Sequence, residues 1–129
     1  MNPYSIYGDT AGHLYIAEYY YVVRNVSLAT GIMTTAVGRQ YYNGFSGDGG
    51  PASSALLSYP KGLWVDSIGD MYIGDSNNYR VRKVTKTVTS QGVKHIITTI
   101  DGNGDCCGIQ NYVAATASSA DKMLLRPRA

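Results

Sequence analysis

The chain is 129 residues long, room for one ordinary domain that would bury roughly two-thirds of its unfolded surface, with little left for a second. Apolar residues make up 44% and charged residues 16%, the balance of a packed domain and not of a disordered chain. Eleven Lys and Arg against nine Asp and Glu leave a net charge of +2, too small and scattered for the phosphate neutralisation on which nucleic-acid affinity depends, and no apolar run approaches the ~20 residues that span a bilayer.

Taken in chain order, Met1-Asn2-Pro3-Tyr4 has neither a basic n-region nor an apolar h-region, so no secretory signal is read in the chain as it stands, and the sequence assigns no compartment. Four short runs rich in Val, Ile, Tyr and Thr follow, at about residues 5–8, 14–18, 22–27 and 32–37, which predict strands. A long connector, 38–59, leads to four more, at about 62–66, 71–75, 79–85 and 95–100. A second long connector, 102–127, follows and contains the only cysteines, Cys106 and Cys107. Neighbours in sequence, they are two thiols or one small strained ring and no disulfide framework.

The two sets of strands are copies of each other. Residues 5–18 lie against 62–75 without a gap, at an offset of 57, placing Tyr15-Ile16 on Tyr72-Ile73 and Glu18 on Asp75. Arg24-Asn25-Val26 then matches Arg82-Lys83-Val84 after a one-residue deletion, and Ala-Ser-Ser-Ala occurs at 52–55 and again at 117–120, each time followed by Leu-Leu and a proline. The expected organisation is a first unit over 1–59, a second over 60–126 and the start of a third at 127–129. Asp9-Thr10-Ala11-Gly12 and Asp66-Ser67-Ile68-Gly69 both put Asp first and Gly fourth in a type I turn, so these aspartates read as turn residues.

Four antiparallel strands in a repeated unit of 40 to 60 residues, apolar on both faces as in Leu63-Trp64-Val65, is the pattern of a β-propeller blade. The stretch Gly69-Asp70-Met71-Tyr72-Ile73-Gly74-Asp75-Ser76-Asn77-Asn78-Tyr79-Arg80-Val81-Arg82-Lys83-Val84 resembles the NHL repeat, and Gly44-Phe45-Ser46-Gly47-Asp48-Gly49-Gly50-Pro51-Ala52 is similar to the connector between blades in that family. The resemblance implies an all-β chain of two four-stranded antiparallel blades, an incomplete ring with a role in binding. The first copy departs from the pattern at Tyr19-Tyr20-Tyr21, and the second lacks the Gly-Asp-Gly-Gly connector.

Propellers close as rings of about four to eight blades, so two blades leave apolar faces bare. Three readings are open: a piece of a longer propeller, which the end at 126–129 favours; several copies in one ring; or an open pair of low stability.

Strand reversal brings the second-to-third loops and the connectors to one end of the blades. Twelve tyrosines against one Phe and one Trp, with many in these segments, predict a binding face there made of Tyr19, Tyr20, Tyr21, Tyr41, Tyr42, Phe45, Asp48, Asn77 and Asn78. The partner classes are protein, peptide or glycan, and no cofactor or metal is expected. His13 and His95 form no metal spacing, His95 opening a strand after a long loop, and the glycines around Asp48 match neither an EF-hand nor a P-loop. The alternative is part of a propeller enzyme, of lyase or lactonase type, with its axial metal ligands on other blades.

Overall fold

The computed structural model describes residues 2–104; Cys106-Cys107, most of the second connector and the expected third repeat lie outside the described residues. Eight strands form two sheets: β1 (Pro3–Gly8), β2 (His13–Glu18), β3 (Val22–Ser27) and β4 (Met33–Gly38), then β5 (Pro60–Val65), β6 (Met71–Asp75), β7 (Arg80–Thr89) and β8 (Gly92–Asp101). Each sheet is a four-stranded antiparallel meander in chain order. The fold is all-β, as the alternation of strand runs and turn residues predicts. Among the described residues the only helical pieces are single 3-10 turns, η1 (Ala52–Ser54) and η2 (Ser76–Asn78), and no helix is long and apolar enough to cross a membrane.

Two expectations need correction. The third and fourth runs of the second copy extend beyond 79–85 and 95–100, because β7 and β8 continue as a hairpin paired out to Thr89 and Gly92. Its β-branched residues Thr85, Thr87, Val88, Thr89 and Val93 suit extended backbone, and Gly92 takes the φ of +119° at the turn. His95 therefore sits within β8, opposite Lys86, and does not follow a long loop. Tyr79 does not open β7; it has a left-handed backbone and ends η2.

The Asp turns are built as their residues demand. Asp9 Oδ1 accepts the N–H groups of Ala11 and His13, both at 2.9 Å, and Asp66 Oδ1 those of Ile68 and Asp70, at 3.1 and 2.9 Å. Burial raises the Asp9 carboxyl, but those two backbone bonds and the neighbouring His13 outweigh it and hold Asp9 below the usual aspartate range.

Pairing also fixes which face each side chain takes. Tyr7, Tyr15, Ala17, Val23 and Val37 lie on the face of the first sheet that meets the second, where Leu63, Val65, Met71, Ile73, Val84 and Ile97 receive them. The sheets touch most closely at β1 and β5. Between their outer strands the wedge is filled by the connector: η1 packs on β4 and β8, and Ala52, Ala55 and Leu57 are fully or almost fully buried in the shared core. Gly47 makes this approach possible, since a Cβ at its φ of +98° would fall 2.7 Å from the Ala55 Cα.

The arrangement is head to tail. By the repeat, Tyr7, Tyr15, Ala17 and Val23 correspond to Trp64, Tyr72, Gly74 and Val81, which lie on the other face of the second sheet. Likewise Leu63, Ile73, Arg82 and Ile97 correspond to Ile6, Ile16, Arg24 and Met33 on the far face of the first. Even the irregularities repeat: the ladders of β3 with β4 and β7 with β8 both shift register, between Val23 and Arg24 and between Val81 and Arg82.

Candidate binding face

One ion pair recurs in both sheets and positions the loops. On the strand before each second-to-third loop a buried carboxylate meets an arginine of the following strand: Glu18 with Arg24 at 2.7 Å, and Asp75 with Arg82 at 3.0 Å. The second pair is the more enclosed, with both side chains at 0% exposure. Arg82 also donates to the carbonyls of Leu56 and Ser46, at 3.2 and 3.0 Å, and to Asp48 Oδ1 at 3.0 Å, while Asp48 Oδ2 accepts the Thr99 hydroxyl at 2.7 Å. Asp75 further accepts the Ser58 N–H at 2.7 Å and the Asn78 amide at 2.8 Å. Burial pushes the Asp75 carboxyl above the usual range, opposed by Asn78, the Ser58 N–H and the Arg82 guanidinium. This network is the staple that lays the glycine-rich connector onto the second sheet, where the Gly49 N–H donates to the Ile97 carbonyl and the Ile97 N–H to Gly50.

Around this staple the expected site residues divide into two groups. Phe45, Asp48 and Asn78 belong to the staple: Phe45 lies under the guanidinium groups of Arg80 and Arg82, at 3.8 and 4.6 Å, and Asn78 donates to the Gly44 carbonyl at 2.8 Å. The polar side-chain atoms of Asp48 and Asn78 are thus bonded within the chain, although Asp48 and Phe45 remain exposed. Asn77 is exposed, its N–H bonded to the Ser58 carbonyl at 3.0 Å.

The tyrosines form the second group. Tyr19 meets Tyr20 and Tyr59 edge-on with ring centres 5.3 Å apart in both cases, Tyr20 meets Tyr41 at 5.0 Å, Tyr21 meets Tyr59 at 5.1 Å, and Tyr4 lies 6.1 Å from Tyr19. The Tyr21 and Tyr59 hydroxyls are 3.3 Å apart. Tyr42 stacks under the Arg39 guanidinium at 4.5 Å, and Lys61 Nζ stands 5.4 Å from the centre of Tyr4. The surface so formed is aromatic with a cationic rim, and Tyr41 is its most exposed ring at 67%. Hydrogen bonding and charge repulsion from Tyr59, then burial, raise the Tyr19 hydroxyl; burial, then Tyr19 and Tyr59, raise Tyr4. Both stay neutral donors at physiological pH.

Backbone bonds hold these rings in place. The Tyr19 N–H donates to the Asn2 carbonyl at 2.8 Å and the Tyr41 N–H to the Tyr20 carbonyl at 3.3 Å, so the first loop is tied to the entry of β1 and to the connector. Tyr21, Tyr41, Tyr59 and Tyr79 all have positive φ, between 52° and 71°, and they are the only such residues other than glycine among those described. A left-handed backbone costs a residue with a Cβ roughly 1–2 kcal/mol, so four tyrosines there are held by their surroundings.

No family model matches the chain, and no curated protein matches it.

Sequence reasoning omitted Tyr4, Tyr59, Arg39 and Lys61 from the face. Tyr59 could have been found, since it stands in the connector just before Pro60 at the end already assigned to the loops.

At the opposite end, between the Asp turns, the wedge opens into a cleft with two lobes of about 590 and 600 Å³; Tyr15, Asn25, Gly69, Val93 and His95 line both. Burial, then Lys86, lowers the His95 pKa. Among the described residues no group of three or more His, Cys, Asp or Glu is placed to hold a metal ion.

Proposed function

We propose that the chain is a pair of NHL-type propeller blades acting as a binding module, whose tyrosine end takes a protein, peptide or glycan partner. The observation that carries this reading is the tyrosine cluster: contiguous rings, partly exposed, braced edge to face and by backbone bonds, with Arg39 and Lys61 at the rim. Tyrosine brings apolar area and a hydroxyl at a low entropic cost, and rings already fixed in place lose little further freedom on binding. Left-handed residues held in a cluster also fit a recognition surface better than a filler role, which glycine would serve without strain. The propeller assignment is supported by the head-to-tail stacking of equivalent four-stranded meanders and by the connector that fills the wedge between them. The NHL assignment rests on the residues from Gly69 to Val84 and the Gly-rich connector.

Tyr20, Tyr41 and Tyr42 contribute rings and few structural bonds, so their combined replacement by serine tests the reading without dismantling the fold. Immobilised protein is expected to retain ligands from a panel of peptides and glycans, and the triple variant to lose about tenfold or more in affinity, as loss of a recognition hot spot does. Equal retention by wild type and variant would reject the tyrosine face.

A further inference from the structure

At the tyrosine end of the sheets the carboxylates are closed off and two cations are left open. Glu18 and Asp75 are 2% and 0% exposed, and each is held by its own arginine, Arg24 or Arg82. Asp48 gives one oxygen to Arg82 and the other to the Thr99 hydroxyl. Asp101, at the end of β8, accepts the Gly102 N–H with Oδ1 and has Oδ2 buried. Arg39 and Lys61, by contrast, are exposed and pair with no carboxylate among the described residues; each lies over a tyrosine ring instead. A partner's carboxylate therefore meets them without displacing an internal ion pair.

The two cations bracket one series of ring contacts. From Lys61 it runs over Tyr4, Tyr19, Tyr20 and Tyr41, each ring centre 5.0 to 6.1 Å from the next, and the chain carries it on through Tyr42 to Arg39. Each such step exceeds the ~3.3 Å rise of one extended residue, so several residues are needed to reach from one cation to the other. The planes of Tyr19 and Tyr20 cross at 83° and those of Tyr20 and Tyr41 at 64°. Crossed rings leave notches for side chains and not the flat platform on which successive bases or sugars stack. We infer that the partner of this face is an acidic peptide, bound extended, with carboxylates at Arg39 and Lys61 and its remaining residues across the tyrosines between them. The inference rests on the tyrosine face proposed above and adds the charge and class of its partner. The hydroxyls of Tyr4 and Tyr19, held above the usual tyrosine range, stay protonated to donate to peptide oxygens.

The test is selection from random octapeptides on the immobilised full chain, followed by titration of the best peptide. Asp and Glu are expected to be enriched in the retained set. Arg39→Gln combined with Lys61→Gln, both at exposed positions, should weaken binding of that peptide about three- to tenfold at low salt and flatten its salt dependence, which a packing role for either residue would not move. Arg39→Lys with Lys61→Arg keeps both charges and should restore the salt dependence. Lys94→Gln, an exposed lysine at the opposite end, should change nothing. Retention of neutral or basic octapeptides, or a glutamine pair that binds the acidic peptide as wild type does, would overturn the inference and leave the tyrosine face standing. Undiminished binding by the triple tyrosine-to-serine variant would instead reject the face and the inference with it. Retention of no octapeptide, or displacement of the acidic peptide by lower concentrations of an oligouridylate or a sulfated oligosaccharide, would also overturn it.

Discussion

Arg82→Ala is expected to destabilise the protein by about 3–5 kcal/mol, the cost of leaving a buried charge without its partner. Removing the guanidinium strands Asp75 at 0% exposure, takes a donor from the Leu56 carbonyl, and leaves Asp48 only the Thr99 hydroxyl and the Ser46 carbonyl only the Leu56 N–H. The connector then loses its staple. Arg24→Ala offers an internal control: the equivalent arginine is partly exposed and, among the described residues, donates to Glu18 and Thr35, so its loss should cost about 1–3 kcal/mol, in the range for hydrogen bonds to charged groups. Urea unfolding followed by tryptophan fluorescence reports directly on Trp64 in β5. Equal midpoints for the two variants would refute the unequal roles assigned to the two pairs.

Leu57→Ala should cost about 2–5 kcal/mol, as truncation of a fully buried leucine does where the cavity cannot collapse. Collapse is resisted on both sides. Leu57 belongs to the core shared by the sheets, and its Cδ1 would lie 3.4 Å from a Cβ placed at Gly38, at the end of β4. Its neighbour Leu56 is only partly buried and bridges to Ser46, so Leu56→Ala should cost less than half as much. Thermal unfolding of the pair checks this, and a larger loss at Leu56 would contradict the wedge-filling role of Leu57.

Much of the fold was legible because local and global signals agree. The Asp-to-Gly turns, the β-branched runs and the repeat each point to paired strands, and the alignment of the copies, with its one-residue deletion, matches Glu18 with Asp75 and Arg24 with Arg82. What the alignment did not convey was that those matched residues pair with each other across strands. That requires the register, which sets Ile16 opposite Arg24 and Ile73 opposite Arg82 and so brings each carboxylate within reach. The extra length of β7 and β8 is not evident from the sequence because Lys86, Thr87 and Lys94 look like a polar loop when read alone; the pairing of a long exposed hairpin gives them extended backbone.

The placement of the candidate loops was legible by topology, their side-chain contacts less so. Strand reversal places the loop tyrosines at one end, but periodicity cannot say which of them share a cluster. Asp48 illustrates the limit. Among four glycines it looks free to meet a ligand, and only the folded chain brings Arg82 and Thr99 to its two oxygens across 34 and 51 residues of sequence.

The stacking of two like sheets around a connector is the core of this fold, and methyl-resolved NMR examines it most directly. Nuclear Overhauser effects are expected from the Ala52 methyl both to β4, at Val37, and to β8, at Ile96 or Ile97, because η1 packs between the two outer strands and Pro51 bridges to Ile96. Cross-peaks to only one of those strands, or to neither, would mean that the sheets do not share this wedge.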